Sequence, residues 1–268
     1  MKKKLINTPL VSIIMNCHNG EKYLKKSIIS VIKQTYKNWE LVFFDNISTD
    51  KSKKILLGFK DKRIKYFNSK KYFKLYKARN LAIRKAKGDY LAFLDTDDWW
   101  NKNKLKEQVN FINKNKKYQI VYSNFLLYWE NKKKFTKKYD SKLPSGKITQ
   151  ELLNDYFIAI SSALINIKIF KSRIFNEKYN IIGDFDFFIY ISRYHLIGAI
   201  NKPLLYYRLH SENTSNKKID VYFREQKNWL QKNKKKLLRE NYNLSKLKFY
   251  LIKLKIKVLL KNIINKAI

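Results

Sequence analysis

"GDYLAFLDTDDWW", residues 88–100, decides how the rest of the chain is read. Tyr90–Leu94 is a short continuous apolar run, as expected of a strand covered on both faces. It runs directly into three carboxylates, Asp95, Asp97 and Asp98, followed by Trp99 and Trp100. Like charges this close repel, so the cluster costs stability unless a cation or a hydrogen-bond network offsets it.

Upstream, strand-length runs alternate with helical periodicity. "LVSIIM" (10–15) and "LVFF" (41–44) read as strands, and Leu24, Ile28, Val31 and Ile32 recur at helical spacing between them. Ser48 or Thr49 is placed to cap a helix through Ile55 and Leu56; "IKYF" (64–67) reads as a third strand. Ala78, Leu81, Ala82 and Ala86 mark a helix face, with Gly88 where a left-handed C-terminal cap would sit. This order predicts an α/β chain with a mainly parallel, Rossmann-like sheet flanked by helices. Ligands bind such sheets beyond the carboxyl ends of the strands, where Asp45 and Asp95 fall.

After Trp100 the spacing predicts a helix through Leu105, Val109 and Ile112 and a strand near "QIVYSNFLLYW" (119–129). Helices near 148–157 and from "GDFDFF" (183–188) follow. Residues 217–268 hold 16 Lys and Arg against 3 Asp and Glu, so a boundary is expected near residue 216, with a basic helical extension beyond it. In that extension lysines alternate with apolar residues and leave two apolar helix faces. One suits packing on the main domain, the other an anionic membrane surface or a partner chain.

The whole chain of 268 residues carries a formal charge of +38, which points to an anionic partner; an AT-biased codon composition offers a competing account of its many lysines. A single cysteine, Cys17, excludes an intrachain disulfide framework and fits a cytoplasmic setting. The apolar core of the first segment, Leu10–Met15, is too short for a signal peptide, and no stretch suits a membrane-spanning helix. Neither a P-loop nor a G-x-G-x-x-G fingerprint occurs, and an EF-hand fails because Trp99 and Trp100 occupy positions that need an oxygen ligand and a glycine. A D-x-D at a strand end suits Mn²⁺ or Mg²⁺ with open sites for phosphate oxygens; it equally suits an acidic helix start. A haloacid-dehalogenase-like phosphatase places its D-x-D after the first strand, not the fourth. A basic RNA-binding protein rests on charge and aromatics alone.

Three ordered segments, "PLVSIIMNCHNGEKYLKKSIISVIKQTYKNWELVFFDNISTD" (9–50), "KARNLAIRKAKGDYLAFLDTDDWW" (77–100) and "GDFDFFIYISR" (183–193), are followed by "YYRLH" (206–210). Together they resemble family-2 glycosyltransferases of bacterial surface-polysaccharide type, which have the GT-A fold. The resemblance covers roughly residues 8–215 and implies a nucleotide-binding part over about 1–100 and an acceptor-binding part over about 101–216.

It also implies roles. Pro9 to Asn16 would form the first strand and the lip of the nucleotide pocket, with Glu21 close by. Asp45 would contact the base, commonly uracil, although Asn46 and Ile47 replace a frequent Asp and Gly, and an Asx turn fits the same position. Arg79 and Asn80 would lie near the nucleotide. Asp97, with Asp95 and His210, would hold Mn²⁺ or Mg²⁺, Asp98 being an alternative ligand, and Asp95 would also serve the ribose. Asp184 would be the catalytic base of an inverting transfer, with Gly183 in place of the family's Glu and Asp186 a candidate to compensate. Trp99 and Trp100 fit core packing better than sugar stacking, and His18 and His195 match nothing. The implied reaction moves a sugar from a nucleotide-sugar donor, with UDP favoured, to a saccharide or lipid-linked acceptor in lipopolysaccharide, lipooligosaccharide or capsule assembly. Nucleic acid is not an expected partner, and the setting is cytoplasmic or peripheral on the inner membrane.

Overall fold

The computed structural model describes residues 8–213 and 217–267, with side chains to Ile263. The boundary expected near residue 216 falls outside the described residues. Four parallel strands open the fold: β1 (Val11–Cys17), β2 (Trp39–Asp45), β3 (Ile64–Asn68) and β4 (Tyr90–Phe93), in spatial order 3-2-1-4. Beyond β4 the sheet is mixed. β8 (Leu164–Asn166) lies antiparallel to β4, and β6 (Ile120–Trp129) antiparallel to β8. β9 (Ile197–Leu209) then runs parallel to β6. The remaining strands are short: β5 (Trp99–Trp100) pairs with β9, and β7 (Lys134–Lys137) pairs with β6.

Alternation along the central strands sorts the core into two layers. Ile13, Met15, Leu41 and Phe43 face α1 (Glu21–Ile32) and α4 (Lys104–Lys114), whose Leu24, Ile28, Val31, Leu105 and Val109 are buried against them. Ile14, Val42, Phe44 and Phe93 face the opposite layer, built from α3 (Leu75–Ile83), α5 (Thr149–Asn154), α6 (Ile169–Ser172) and α7 (Gly183–Ser192). That layer holds a run of rings in which Phe170 stacks on Phe187 at 5.0 Å and Phe175 meets Phe187 at 4.8 Å.

Two sequence expectations change in detail. α2 (Ser52–Leu57) begins after Lys51 with no side-chain cap from Ser48 or Thr49; Asp50 Oδ1 accepts the Ser52 N–H instead. Gly88 has no positive φ, so it is not a left-handed cap. It lies where the chain presses on β1, and a Cβ there would come within 2.6 Å of Ser12 N and 2.7 Å of Leu10 O.

The basic extension forms two helices, α8 (Ile219–Arg239) and α9 (Ser245–Ala267), and it joins the main core. Trp229, Leu230, Leu237, Leu244 and Leu247 are buried in the α7 layer, and Trp229 Nε1 donates to Asp186 Oδ1 at 2.8 Å.

Because backbone atoms, which cannot rotate away, crowd Gly88, Gly88→Ala is expected to lower unfolding free energy by about 1–3 kcal/mol in urea titration. Gly58→Ala, at an ordinary helical φ of −67° and no nearer than 3.3 Å to a neighbour, is expected to cost clearly less.

Candidate active site at the carboxyl edge of the sheet

The three carboxylates after β4 have three different surroundings. Asp95 pairs with Arg79 of α3, Nη2 to Oδ1 at 2.5 Å, and Arg79 is buried. Burial opposes the guanidinium charge, yet Asp95, helped by Tyr76 and Asp184, outweighs it and raises the Arg79 pKa. Asp97 faces His210, with Nε2 3.0 Å from Oδ2. Asp98 turns inward, where Oδ1 accepts the Arg208 N–H at 3.0 Å, tying the end of β9 to the acidic turn. Burial first, then the charges of Asp97 and Asp95, push the Asp98 pKa well up. This buried carboxyl is a structural brace and is not exposed to a ligand.

His210 is held by its own loop. Its N–H donates to Asn213 Oδ1 at 2.7 Å, its ring lies 4.9 Å from that of Tyr23, and its buried Nδ1 has no hydrogen-bond partner among the described residues. Two donors on adjacent corners of an octahedral Mg²⁺-type site are about 3 Å apart, so Asp97 and His210 fit as a pair of ligands. Among the described residues, no three His, Cys, Asp or Glu side chains form a ready metal cluster. Asp95, bound to Arg79, is not gathered into one with them.

Asp184 sits in the first turn of α7, and burial is the main cause of its raised pKa. Its Oδ1 lies 3.1 Å from Tyr76 Oη and accepts the Phe185 N–H at 2.9 Å. Arg79 is close enough for its charge to oppose the upward shift, so it lies electrostatically between Asp95 and Asp184. Asp186 does not compensate for Gly183. Its carboxylate is taken by Arg173 Nη2 at 2.7 Å and by Trp229, on the core side of α7.

The remaining sequence candidates divide. Asn16 is at the carboxyl end of β1 beside Phe44 of β2, and both polar atoms of its buried amide lack a hydrogen-bond partner among the described residues. Asp45 ends β2 and makes the Asx turn, accepting the Ser48 N–H at 2.8 Å and the Tyr66 hydroxyl at 3.1 Å. Ile47 holds a φ of 59° in that turn, and Asn46 spends its amide on Phe73. Asn80 bonds Phe175, an internal brace. Glu21 clasps α1 to α2 through Lys51 N at 2.8 Å.

Pro9 is not brought to the pocket lip. It precedes β1 at the strand's opposite end from Asn16, and its carbonyl accepts the Tyr36 hydroxyl. His18 bonds the Asn46 carbonyl at 2.9 Å. Trp99 stacks on Tyr206 at 5.2 Å, and Trp100 Nε1 donates to Ser161 O at 2.9 Å, so both pack as core. Tyr76 was missed by sequence reasoning. The available signal was its place three residues before Arg79, hence on the same helix face.

Comparison with known proteins places these features in a family. The glycosyl transferase family 2 model matches residues 12–196. An uncharacterized glycosyltransferase of Haemophilus influenzae is 45% identical over 112 residues, 41% of this chain and 45% of that protein. The UDP-Glc:alpha-D-GlcNAc-diphosphoundecaprenol beta-1,3-glucosyltransferase WfgD of Escherichia coli is 43% identical over 116 residues, 43% of this chain and 46% of that protein. The matches thus span less than half the length of these relatives. Among solved structures, S. aureus TarS 1-349 in complex with UDP-GlcNAc superposes with a TM-score of 0.64 at 18% identity, over 82% of this chain and 66% of that one. That likeness bears on the fold, which is the GT-A arrangement. With its model covering well over half the chain, the protein belongs to glycosyltransferase family 2.

Proposed function

We propose that this chain is a metal-dependent, inverting glycosyltransferase that moves a sugar from a UDP-linked donor to a saccharide or lipid-linked acceptor in bacterial surface-glycan assembly. The observation that carries the reading is the meeting, at one sheet edge, of Asp97 with His210, Asp95 with Arg79, and a half-buried Asp184. The family membership and the activity for which WfgD is named support the donor and acceptor classes. Mn²⁺ or Mg²⁺, when bound, would supply charge neutralisation for a departing diphosphate.

In this reading the chain's own groups divide the work. Asp97 and His210 would hold the ion, while the ion pair with Arg79 orients Asp95 toward the donor. The unpartnered Asn16 amide offers both a donor and an acceptor to a nucleobase. Asp45 uses two of its roughly four lone-pair sites internally, which leaves it able to accept from uracil. Asp184 takes the proton of the acceptor hydroxyl; a carboxyl with a raised pKa is a better match to that task than an exposed one.

The extension supports a membrane-side acceptor. On α9, Leu247, Leu251, Leu254 and Val258 form the inward face. Phe249, Ile252, Ile256, Leu259 and Ile263 recur on the opposite face and are 50–63% exposed. Lys253 and Lys257 flank that stripe on one side, Lys248 and Lys255 on the other, and the helix contains no acid. An apolar stripe about 21 Å long between rows of lysine fits the interface of an anionic bilayer. None of the helices among the described residues is long and apolar enough to cross a membrane.

Two experiments test this. Asp97→Asn is expected to weaken Mn²⁺-dependent UDP binding by about tenfold or more. Asp184→Asn retains UDP affinity and loses about 100-fold or more of sugar transfer. Calorimetry and turnover with a panel of UDP-sugars read the two, and normal turnover by both variants overturns the assignments. Separately, replacing Ile252, Ile256 and Leu259 by Ser is expected to abolish co-sedimentation with phosphatidylglycerol vesicles. Unchanged co-sedimentation, or a stripe consumed by self-association in light scattering, overturns the membrane reading.

A further inference from the structure

The family's Glu before the base is absent here, and the space it would need is filled. A Cβ at Gly183 would lie 2.6 Å from the ring of Tyr76, so the glycine and the tyrosine require each other. Tyr76 is buried, and its hydroxyl stands between two acceptors, 2.6 Å from Ile181 O and 3.1 Å from Asp184 Oδ1. One hydroxyl has one proton, so it cannot donate to both at once.

We propose that Tyr76 is the positioning residue for Asp184, its hydroxyl proton alternating between the carboxylate and the Ile181 carbonyl as the base gains and loses a proton. While Asp184 is ionised, Tyr76 donates to Oδ1 and orients it. When Asp184 takes a proton from an acceptor hydroxyl, the new O–H donates to Tyr76 Oη, and the tyrosine O–H rotates to Ile181 O. No proton is lost from Tyr76 in either state, and only the acceptor's proton changes owner. Burial and the Asp184 charge both raise the Tyr76 pKa, which keeps the phenol protonated throughout. The inference rests on Asp184 being the base of the proposed transfer.

The other groups facing Asp184 come from every neighbouring element. Arg79 of α3 favours its ionised form, and Asp95 beyond β4 opposes it. Tyr207 of β9, Tyr222 of α8 and Tyr156 after α5 are all affected by its charge. Tyr156 has a buried hydroxyl that lacks a well-aligned partner among the described residues. Of these groups, Tyr76 alone has both a hydroxyl aligned on Asp184 and a second acceptor for its proton.

The test is Tyr76→Phe, which keeps the ring that fills the Gly183 gap and removes only the hydroxyl. The carbonyl infrared band of protonated Asp184, identified by its loss in Asp184→Asn, is followed across pH in the full chain. Its midpoint is expected to move up by about one pH unit or more in Tyr76→Phe. kcat for the UDP-sugar that turns over falls, with UDP affinity unchanged. An unmoved midpoint overturns the proposal. Should Tyr76→Phe not fold, 3,5-difluorotyrosine at position 76 replaces it; a more acidic phenol donates more strongly and must lower the midpoint, and no change again overturns the proposal. The infrared readout needs no turnover. An active Asp184→Asn enzyme would therefore overturn the base assignment separately, while the midpoint still judges the Tyr76 contact.

Discussion

The acidic edge depends on one buried guanidinium. A buried cation without a counter-charge would be strongly destabilising, and Arg79 meets that need with Asp95 at 2.5 Å. The same cation lies near Asp184, so a single side chain on α3 offsets carboxylates from two distant parts of the sequence. The repulsion among Asp95, Asp97 and Asp98 is relieved piecewise. Arg79 faces the first, His210 the second, and the third is driven toward neutrality by burial. Each aspartate has a separate solution, and this is how "DTDD" persists at the end of a hydrophobic strand.

Much of this was legible in the chain because the relevant signals are local. The apolar runs at β1, β2 and β4, the helical spacing of α1 and α4, and acids immediately after strands all lie within short windows. The strand order 3-2-1-4 then follows from crossover rules, which bring Asp45 and Asp95 to one edge. What was not legible depends on distant partners. β9 is 13 residues long, yet its Asn201, Lys202 and Pro203 interrupt the apolar pattern where its register against β6 shifts. Gly88 has the sequence context of a helix cap, and only its approach to Ser12 and Leu10 shows its real role. Pro9 belongs to a motif whose other end, Asn16, is at the site; a motif spans a strand, and a strand has two ends. Gly183 looked like a loss until the ring of Tyr76, more than a hundred residues earlier, was found against it.

Net charge is a poor guide to where an anion binds on this molecule. Most lysines are exposed across all surfaces, and several lie over aromatic rings, as Lys26 does over Trp99 at 3.4 Å. The ordered arrangement of charge is on α9, where lysines border an exposed apolar stripe and no acid interrupts them.

The extension is physically joined to the loop that leads into Asp184. Glu225 of α8 accepts the backbone N–H groups of Asn180 at 2.6 Å, Ile181 at 3.0 Å and Ile182 at 3.2 Å, fixing the loop that enters α7. That loop supplies the Ile181 carbonyl facing Tyr76 and leads directly to Asp184. α9 packs on α8, and Tyr250 donates to Tyr222, a residue within reach of the Asp184 charge. α9, with its exposed apolar stripe, is therefore linked through Tyr250 and Tyr222 to the surroundings of Asp184. If the acceptor is carried on lipid, the pair of helices that would face the membrane also braces, through Glu225, the loop leading into Asp184, so the membrane contact and the proposed base would share one support.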